Sequence, residues 1–70
     1  MKEVIKGWVA RDEDGTLYFH MKCPNRKVYE HINYWISNSD VFELDSDLFY
    51  KLEWTDGPLK ATMTINIDDD

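Results

Sequence analysis

Residues 16–23 alternate strictly between apolar and polar side chains, and this alternation limits the possible folds more than any other feature of the chain. It predicts a β-strand with Leu17, Phe19, Met21 and Cys23 on one face and Thr16, Tyr18, His20 and Lys22 on the other. Residues 3–11 are rich in β-branched and aromatic types, and the turn-forming sequence Asp12-Glu13-Asp14-Gly15 joins them to this strand. The two segments together predict a β-hairpin.

The rest of the chain consists of shorter segments separated by turn-forming residues. Breaks are predicted at Pro24–Lys27, Ser37–Asp40 and Thr55–Pro58. Strands are predicted over 28–36, 41–44 and 59–67, and one short helical turn over 47–52. A helix over 28–36 is the alternative, but β-branched residues and the Tyr34-Trp35 pair disfavour it. In the last strand the predicted inward residues are Leu59, Ala61, Met63, Ile65 and Ile67.

These elements predict an all-β, mainly antiparallel fold of about five strands. The strands would form a curled sheet or a small SH3-like open barrel, with the helical turn before the last strand. Seventy residues suit a single β domain over 1–67, followed by an acidic tail over 68–70. Cys23 is the single cysteine, so no internal disulfide forms, and no run resembles a signal peptide or a membrane span. We therefore expect a cytoplasmic protein.

The net charge of −6 is concentrated in the second half of the chain. Residues 1–37 carry six basic and five acidic side chains, whereas residues 38–70 carry two basic and nine acidic ones. Such acids usually face water and keep a protein soluble. The alternative is a negative surface that mimics nucleic acid and binds a basic groove on another protein. On that interpretation the partner-binding acids are Asp40, Glu43, Asp45, Asp47, Glu53 and Asp56.

Aromatic residues are abundant and supply the predicted apolar contacts. Tyr29 and Trp35 fall on a strand face that also carries polar residues, so we expect them to anchor a protein partner. The alternative is that such residues fill both sides of a small curled sheet. The aromatic content is also compatible with a homodimer. An acidic chain is a poor ligand for phosphates, so direct nucleic-acid binding is not favoured.

The sequence lacks the patterns typical of enzymes and of metal sites. A calcium loop that began at Asp12 would need a carboxylate at its twelfth position, where Cys23 stands. His20, His31 and Cys23 lack zinc-site spacing and are interpreted as two surface or rim histidines and a small buried thiol. None of the serines sits on a glycine-flanked nucleophile elbow, and no phosphate-binding glycine loop is present. We predict no catalytic residues, no metal and no cofactor.

Two stretches carry a resemblance to a known family. They are Gly7-Trp8-Val9-Ala10-Arg11-Asp12-Glu13-Asp14-Gly15-Thr16-Leu17-Tyr18, followed by Pro24, and then Asp47-Leu48-Phe49 with Leu52-Glu53-Trp54-Thr55-Asp56. This pattern resembles small uncharacterised proteins of gut-type Bacteroidetes genomes, their phages and other mobile elements. The chain departs from the family pattern at Tyr50, where proline is expected, and in its middle strand. The resemblance implies a context in which small acidic proteins inhibit host defence, as anti-CRISPR proteins do.

The sequence therefore predicts a small acidic protein-binding module, an inhibitor of a host defence protein that presents negative charge to a basic groove. The alternative is a nucleic-acid-associated β module that uses Lys22, Arg26, Lys27 and Tyr18.

Overall fold

The structure is a computed structural model that describes residues 1–68. It is all-β and antiparallel, which confirms the predicted fold class. Its six strands are β1 Lys2–Arg11, β2 Leu17–His20, β3 Asn25–Tyr29, β4 Ile32–Ile36, β5 Val41–Leu44 and β6 Leu59–Asn66. Four of them form a sheet in the order β5-β2-β1-β6, and β3 pairs with β4 in a separate hairpin. The four-stranded sheet does not close into a barrel. Of the predicted acidic tail, Asp69 and Asp70 lie outside the described residues.

The predicted β1–β2 hairpin is present. Gly15 has a φ of 98°, a value that glycine adopts without steric cost, and its amide donates to the Asp12 carbonyl at 2.9 Å. β2 is shorter than predicted, because pairing with β1 ends at Trp8 opposite His20. Met21 and Cys23 are exposed, so the predicted burial of the thiol is wrong.

The single strand predicted over 28–36 is wrong. Glu30 and His31 both have positive φ, 48° and 67°, and they form a two-residue turn between β3 and β4. Two left-handed residues give a tight hairpin turn, which Asn-Gly would signal and Glu-His does not. The predicted break over Pro24–Lys27 is also wrong in part, since β3 begins at Asn25.

The helical turn predicted over 47–52 is absent. Phe49 has a φ of 51°, which interrupts a right-handed helix. Two consecutive turns form instead, closed by bonds from the Leu48 amide to the Asp45 carbonyl and from the Leu52 amide to the Phe49 carbonyl. Residues 45–52 are therefore a folded loop, and among residues 1–68 the chain forms no helix.

The four-stranded sheet has two distinct faces, which we name by a central residue of each. Directly paired residues of antiparallel strands lie on one face. The Phe19 face includes an apolar row that crosses all four strands, Phe42, Phe19, Val9 and Leu59. The Tyr18 face carries Trp8, Ala10, Tyr18, His20, Val41 and Glu43. The predicted inward residues Leu59, Ala61, Met63 and Ile65 do share the Phe19 face, although Leu59 and Ile65 are exposed. The inward prediction for Ile67 is wrong, because β6 ends at Asn66 and Ile67 is exposed.

The buried core is small. Among the described residues, the buried apolar side chains are Val9, Ala10, Leu17 and Phe19, together with Pro24 in the loop after β2. Gly7 allows the Phe19 ring to lie close to β1, because a Cβ there would overlap that ring and the carbonyl oxygen of His20. So small a core implies that polar contacts hold much of the fold.

Arg11 is the main such contact. Its guanidinium is buried and donates to five main-chain carbonyls, those of Gly15, Ser46, Leu48, Phe49 and Leu52, at 2.7 to 3.2 Å. Four of these carbonyls belong to the loop over 45–52, whose Leu48, Phe49 and Tyr50 side chains are exposed. The loop is thus attached to the end of β1 by one cation rather than by a hydrophobic core.

Candidate functional site

An open groove lies between the β3–β4 hairpin and the Tyr18 face of the sheet. One part of it has a volume of about 300 Å³, and its lining includes Tyr18, His20 and Tyr34. A second part, of about 310 Å³, is lined by Asp14, Tyr29, Glu30, Ile32 and Tyr34. Tyr34 lines both parts, so we treat them as one site and call it the tyrosine groove.

Two carboxylates of the β1–β2 turn fix the hairpin that forms one wall of this groove. Asp12 accepts the Trp35 amide at 2.8 Å. Glu13 accepts both the main-chain and the side-chain N–H groups of Asn33, at 2.8 and 2.9 Å. These bonds lower the pKa of Glu13. The predicted turn therefore also positions β4 beside the sheet.

Alternation along β4 brings the aromatic side chains of the hairpin to the groove. Tyr34 and Ile32 lie on one face of β4, paired with Lys27 and Tyr29 of β3. Tyr18, half-buried on β2, lines one part of the groove together with Tyr34. Three tyrosines from three strands thus line a single groove.

The groove has a negative electrostatic environment. The pKa of the Tyr18 phenol is raised, first by desolvation and then by the charges of Glu43, Asp12 and Asp14. Glu43 is the direct cross-strand neighbour of Tyr18. The pKa of Asp12 is also raised, chiefly by burial, although the Trp35 amide opposes this shift and Asp14 adds to it. A basic residue also lies beside Tyr34: Lys27 of β3 stands directly opposite it on the same face of the hairpin.

The six acids predicted from the sequence are exposed but lie at different places. Glu43 stands beside Tyr18, and with Asp14 and Asp45 it lines a neighbouring cavity of about 440 Å³. Asp40 lines another cavity, with Met21 and Lys22. The remaining acids stabilise turns or lie in them, namely Asp47, Glu53 and Asp56.

The two predicted aromatic contacts also differ in their surroundings. Tyr29 is 69% exposed at the tip of the hairpin and lines the groove. Trp35 lines the other part of the groove, but it is half-buried and its indole donates to the Trp54 carbonyl at 3.2 Å. Trp35 thus packs the hairpin against residues 52–58, where Gly57 approaches Ala10 closely.

Sequence reasoning did not assign Asp12, Asp14 and Tyr34 to a site. Asp12 and Asp14 were interpreted as turn residues, and they fall in the half of the chain whose net charge is positive. Their positions in the sequence could have indicated this role. Asp12 and Asp14 lie in the β1–β2 turn, and a hairpin turn brings its carboxylates near the start of the next strand, where Tyr18 lies.

His20 was expected at the surface and is buried instead, 2% exposed. Its Nδ1 lies 2.8 Å from the Ser37 hydroxyl, which lies 2.9 Å from the hydroxyl of Ser39. Burial lowers the pKa of His20, and Nε2 has no hydrogen-bond partner among the described residues. Ser39 also accepts the Lys22 amide at 3.1 Å. The histidine and serines therefore attach residues 37–40 to the end of β2.

Neither a metal cluster nor a membrane helix is seen in the part of the chain that the structure describes. Over residues 1–68, no three His, Cys, Asp or Glu side chains are placed to hold a metal ion. Over the same residues, no helix has the length and apolar character needed to cross a membrane.

Comparison with family models, with curated proteins and with solved structures finds no match for this chain. The resemblance to mobile-element proteins therefore stays a prediction based on its own motif residues.

Proposed function

We propose that this protein is a binding module that takes a basic segment of a partner protein into the tyrosine groove. The observation that carries this proposal is that Tyr34 lines both parts of the groove, one with Tyr18 and the other with Tyr29 and Asp14. Glu43 stands directly beside Tyr18 on the neighbouring strand. No reaction is part of the proposal.

Lysine and arginine side chains suit such a groove for two reasons. A cation over the face of a tyrosine ring is attracted by the ring quadrupole, with a gain of about 0.5–1 kcal/mol at exposed sites. Asp14, which lines the groove with Tyr29 and Tyr34, and Glu43, which stands beside Tyr18, add a charge attraction that also raises the rate of encounter. Exposed tyrosines such as Tyr29 are favourable anchors in protein interfaces.

The surroundings of the basic residues favour this proposal over the nucleic-acid alternative. Tyr18 lies in the field of three carboxylates, which repel a phosphate backbone. The Arg26 guanidinium lies over the Trp54 ring, at 5.7 Å from its centroid. Lys22 lines a cavity together with Asp40. Single-stranded nucleic acid is bound by a continuous basic groove beside aromatic side chains on which the bases stack. These contacts do not support such a groove.

The family resemblance leads to a narrower form of the proposal. In this form the partner is a host defence protein with a basic groove of its own, and the acids of the chain occupy that groove in place of nucleic acid. The exposed positions of Glu43, Asp45 and Asp40 are in keeping with this role. The protein would then act in the cytoplasm, where host defence proteins of this kind bind nucleic acid.

The test compares two double variants that change the net charge equally. Asp14→Asn with Glu43→Gln removes one carboxylate that lines the groove and one that stands beside Tyr18. The carboxamide oxygen introduced by Asp14→Asn can still accept the Thr16 amide, which the Asp14 carboxylate accepts at 2.9 Å. Asp47→Asn with Glu53→Gln neutralises two exposed acids outside the groove. Binding is measured by NMR titration with lysine-rich, arginine-rich and sequence-matched glutamate-rich peptides, and with single-stranded DNA as a further ligand.

The expected result is binding of the cationic peptides, with chemical-shift changes centred on Tyr18, Tyr29 and Tyr34. The groove variant should weaken this binding by about tenfold, a loss of about 1.4 kcal/mol, and the outer variant should weaken it much less. Equal effects of the two variants would mean unspecific charge attraction and would overturn the groove as the site. Preferred binding of DNA would overturn the proposal in favour of the nucleic-acid module.

A further inference from the structure

The two ends of the described chain form a β-ribbon that extends beyond the four-stranded sheet. β2 pairs with β1 only from Trp8 to Arg11, whereas β6 pairs with β1 from Lys2 to Val9. Within the described chain, residues 2–7 therefore have β6 as their strand neighbour on one side and no strand on the other. Main-chain bonds between Met1 and Ile67, at 2.7 and 3.0 Å, close the outer end of the ribbon.

One face of this ribbon is apolar and incompletely covered. The ribbon residues on the Phe19 face are Glu3, Ile5, Gly7, Ala61, Met63 and Ile65. Glu3 is the single charged residue among them, and Ile65 is 48% exposed. The opposite face carries instead Lys2, Val4, Lys6, Lys60, Thr62, Thr64 and Asn66. A two-stranded ribbon is marginally stable in water unless another element covers its apolar face.

The whole chain exposes more surface than a compact chain of its mass would. Its accessible surface is 5468 Å², whereas a compact folded chain of 8.4 kDa exposes about 4,600 Å². The excess is about 850 Å², and two chains that bury it together would form an interface of about 1,700 Å². That is the size of a standard stable protein interface, about 1,200–2,000 Å². The chain is elongated, 49 × 25 × 17 Å, and the ribbon extends beyond the pairing of β1 with β2.

We propose that two copies of this chain associate around a two-fold axis, with the Phe19 faces of their ribbons packed against each other. A second copy fits because the face has little charge, so the net charge of −6 does not oppose close approach there. The exposed flanking side chains of Leu59 and Phe42 lie on the same face and extend the contact. The tyrosine groove lies on the Tyr18 face, so both grooves of the dimer stay open, and the dimer does not depend on the proposed function.

The test uses two adjacent residues of β6 that lie on opposite faces. Ile65→Lys places a charge in the proposed interface, whereas Thr64→Lys adds the same charge to the other face of the same strand. Sedimentation velocity of the full chain is run over a wide range of concentration, with reducing agent present. We expect a mass twice that of the 8.4 kDa chain for the wild type and for Thr64→Lys, and a monomer for Ile65→Lys.

A second pair of variants covers the case in which Ile65→Lys fails to fold. In a Cys23→Ser background, Ile65→Cys should form an intermolecular disulfide on mild oxidation, and Thr64→Cys should not. A monomeric wild type at every concentration would overturn the proposal. So would equal dissociation by both lysine variants, or equal crosslinking by both cysteine variants.

Discussion

Arg11 shows how a single buried cation can replace part of a hydrophobic core. A guanidinium has five N–H donors in a rigid planar arrangement, and here they reach five carbonyl oxygens. Hydrogen bonds that involve a charged group contribute about 1.5–3 kcal/mol each, and unpaired buried acceptors are costly. The loop over 45–52 therefore depends on this one side chain.

We predict that Arg11→Lys lowers the free energy of unfolding by at least about 3 kcal/mol, because an ammonium cannot reach carbonyls arranged around a planar group. Urea denaturation followed by tryptophan fluorescence measures this loss. Arg26→Lys, at an exposed position, is the matched control and should change stability by less than about 1 kcal/mol. A small effect at Arg11 would show that the loop is held by other contacts.

His20 makes the stability of the fold depend on pH. Its pKa is lowered by burial, so the unfolded chain binds a proton more readily than the folded one. Stability is therefore complete above about pH 6.5, the ordinary histidine pKa, and decreases as the pH falls through the lower pKa of the folded state. Asp12 has a raised pKa, so its contribution to stability changes with pH in the opposite sense. That contribution is complete below the ordinary carboxyl pKa of about 3.9 and is lost as the pH rises through the higher pKa of the folded state.

We expect His20→Asn to remove the decrease in melting temperature between about pH 6.5 and pH 5, because asparagine can bond to Ser37 without titrating. His31→Asn changes an exposed histidine and should leave the decrease unchanged. Thermal denaturation across this pH range distinguishes the two variants. A decrease that persists in His20→Asn would assign it to other groups.

At the scale of elements, the sequence predicts strands well where two signals agree. β1, β2 and their turn were predicted because alternation and an Asp-Gly turn point to the same hairpin. The β3–β4 hairpin was missed because the Glu30-His31 turn lacks asparagine and glycine, and the β-branched and aromatic residues over 28–36 indicate one strand. The helical turn was wrongly predicted because Phe49 takes a left-handed conformation that a local pattern does not reveal. The tyrosine groove was only partly predictable, since it depends on where the missed hairpin lies.

We predict that Glu30→Asn combined with His31→Gly stabilises the protein by about 1 kcal/mol, since these residues accept positive φ with less strain. For a domain of this size the melting temperature should rise by about 4–8 °C. His31→Val is the opposing control and should lower it, because a β-branched residue is strained at a φ of 67°. Calorimetry measures both changes. A lower melting temperature for the Asn-Gly variant would contradict the turn geometry.

At the scale of the whole molecule, excess negative charge works against the compact state. Fourteen acidic and eight basic residues give the net charge of −6. Salt shortens the range of repulsion between exposed charges, from about 30 Å at 0.01 M to about 8 Å at 0.15 M.

We therefore expect the melting temperature to rise by a few degrees when NaCl is raised from about 0.01 M to about 0.15 M. Asp47→Asn with Glu53→Gln makes the chain two units less negative and should reduce this response. Thermal denaturation followed by circular dichroism at the two salt concentrations measures the effect. A melting temperature that falls with salt would show that favourable charge pairs outweigh the repulsion.

The pairing of β1 with β6 also has a consequence for how the protein is made. These strands are the first and last of the fold, and their register begins with Lys2 opposite Asn66. During synthesis β1 emerges well before β6, its partner along residues 2–7. Contacts between such distant residues form slowly, because a long loop must close before they contribute. A nascent chain therefore exposes the unpaired edge and apolar face of β1 until residues 59–66 have left the ribosome, and chaperone binding to the nascent chain should be strongest before that point.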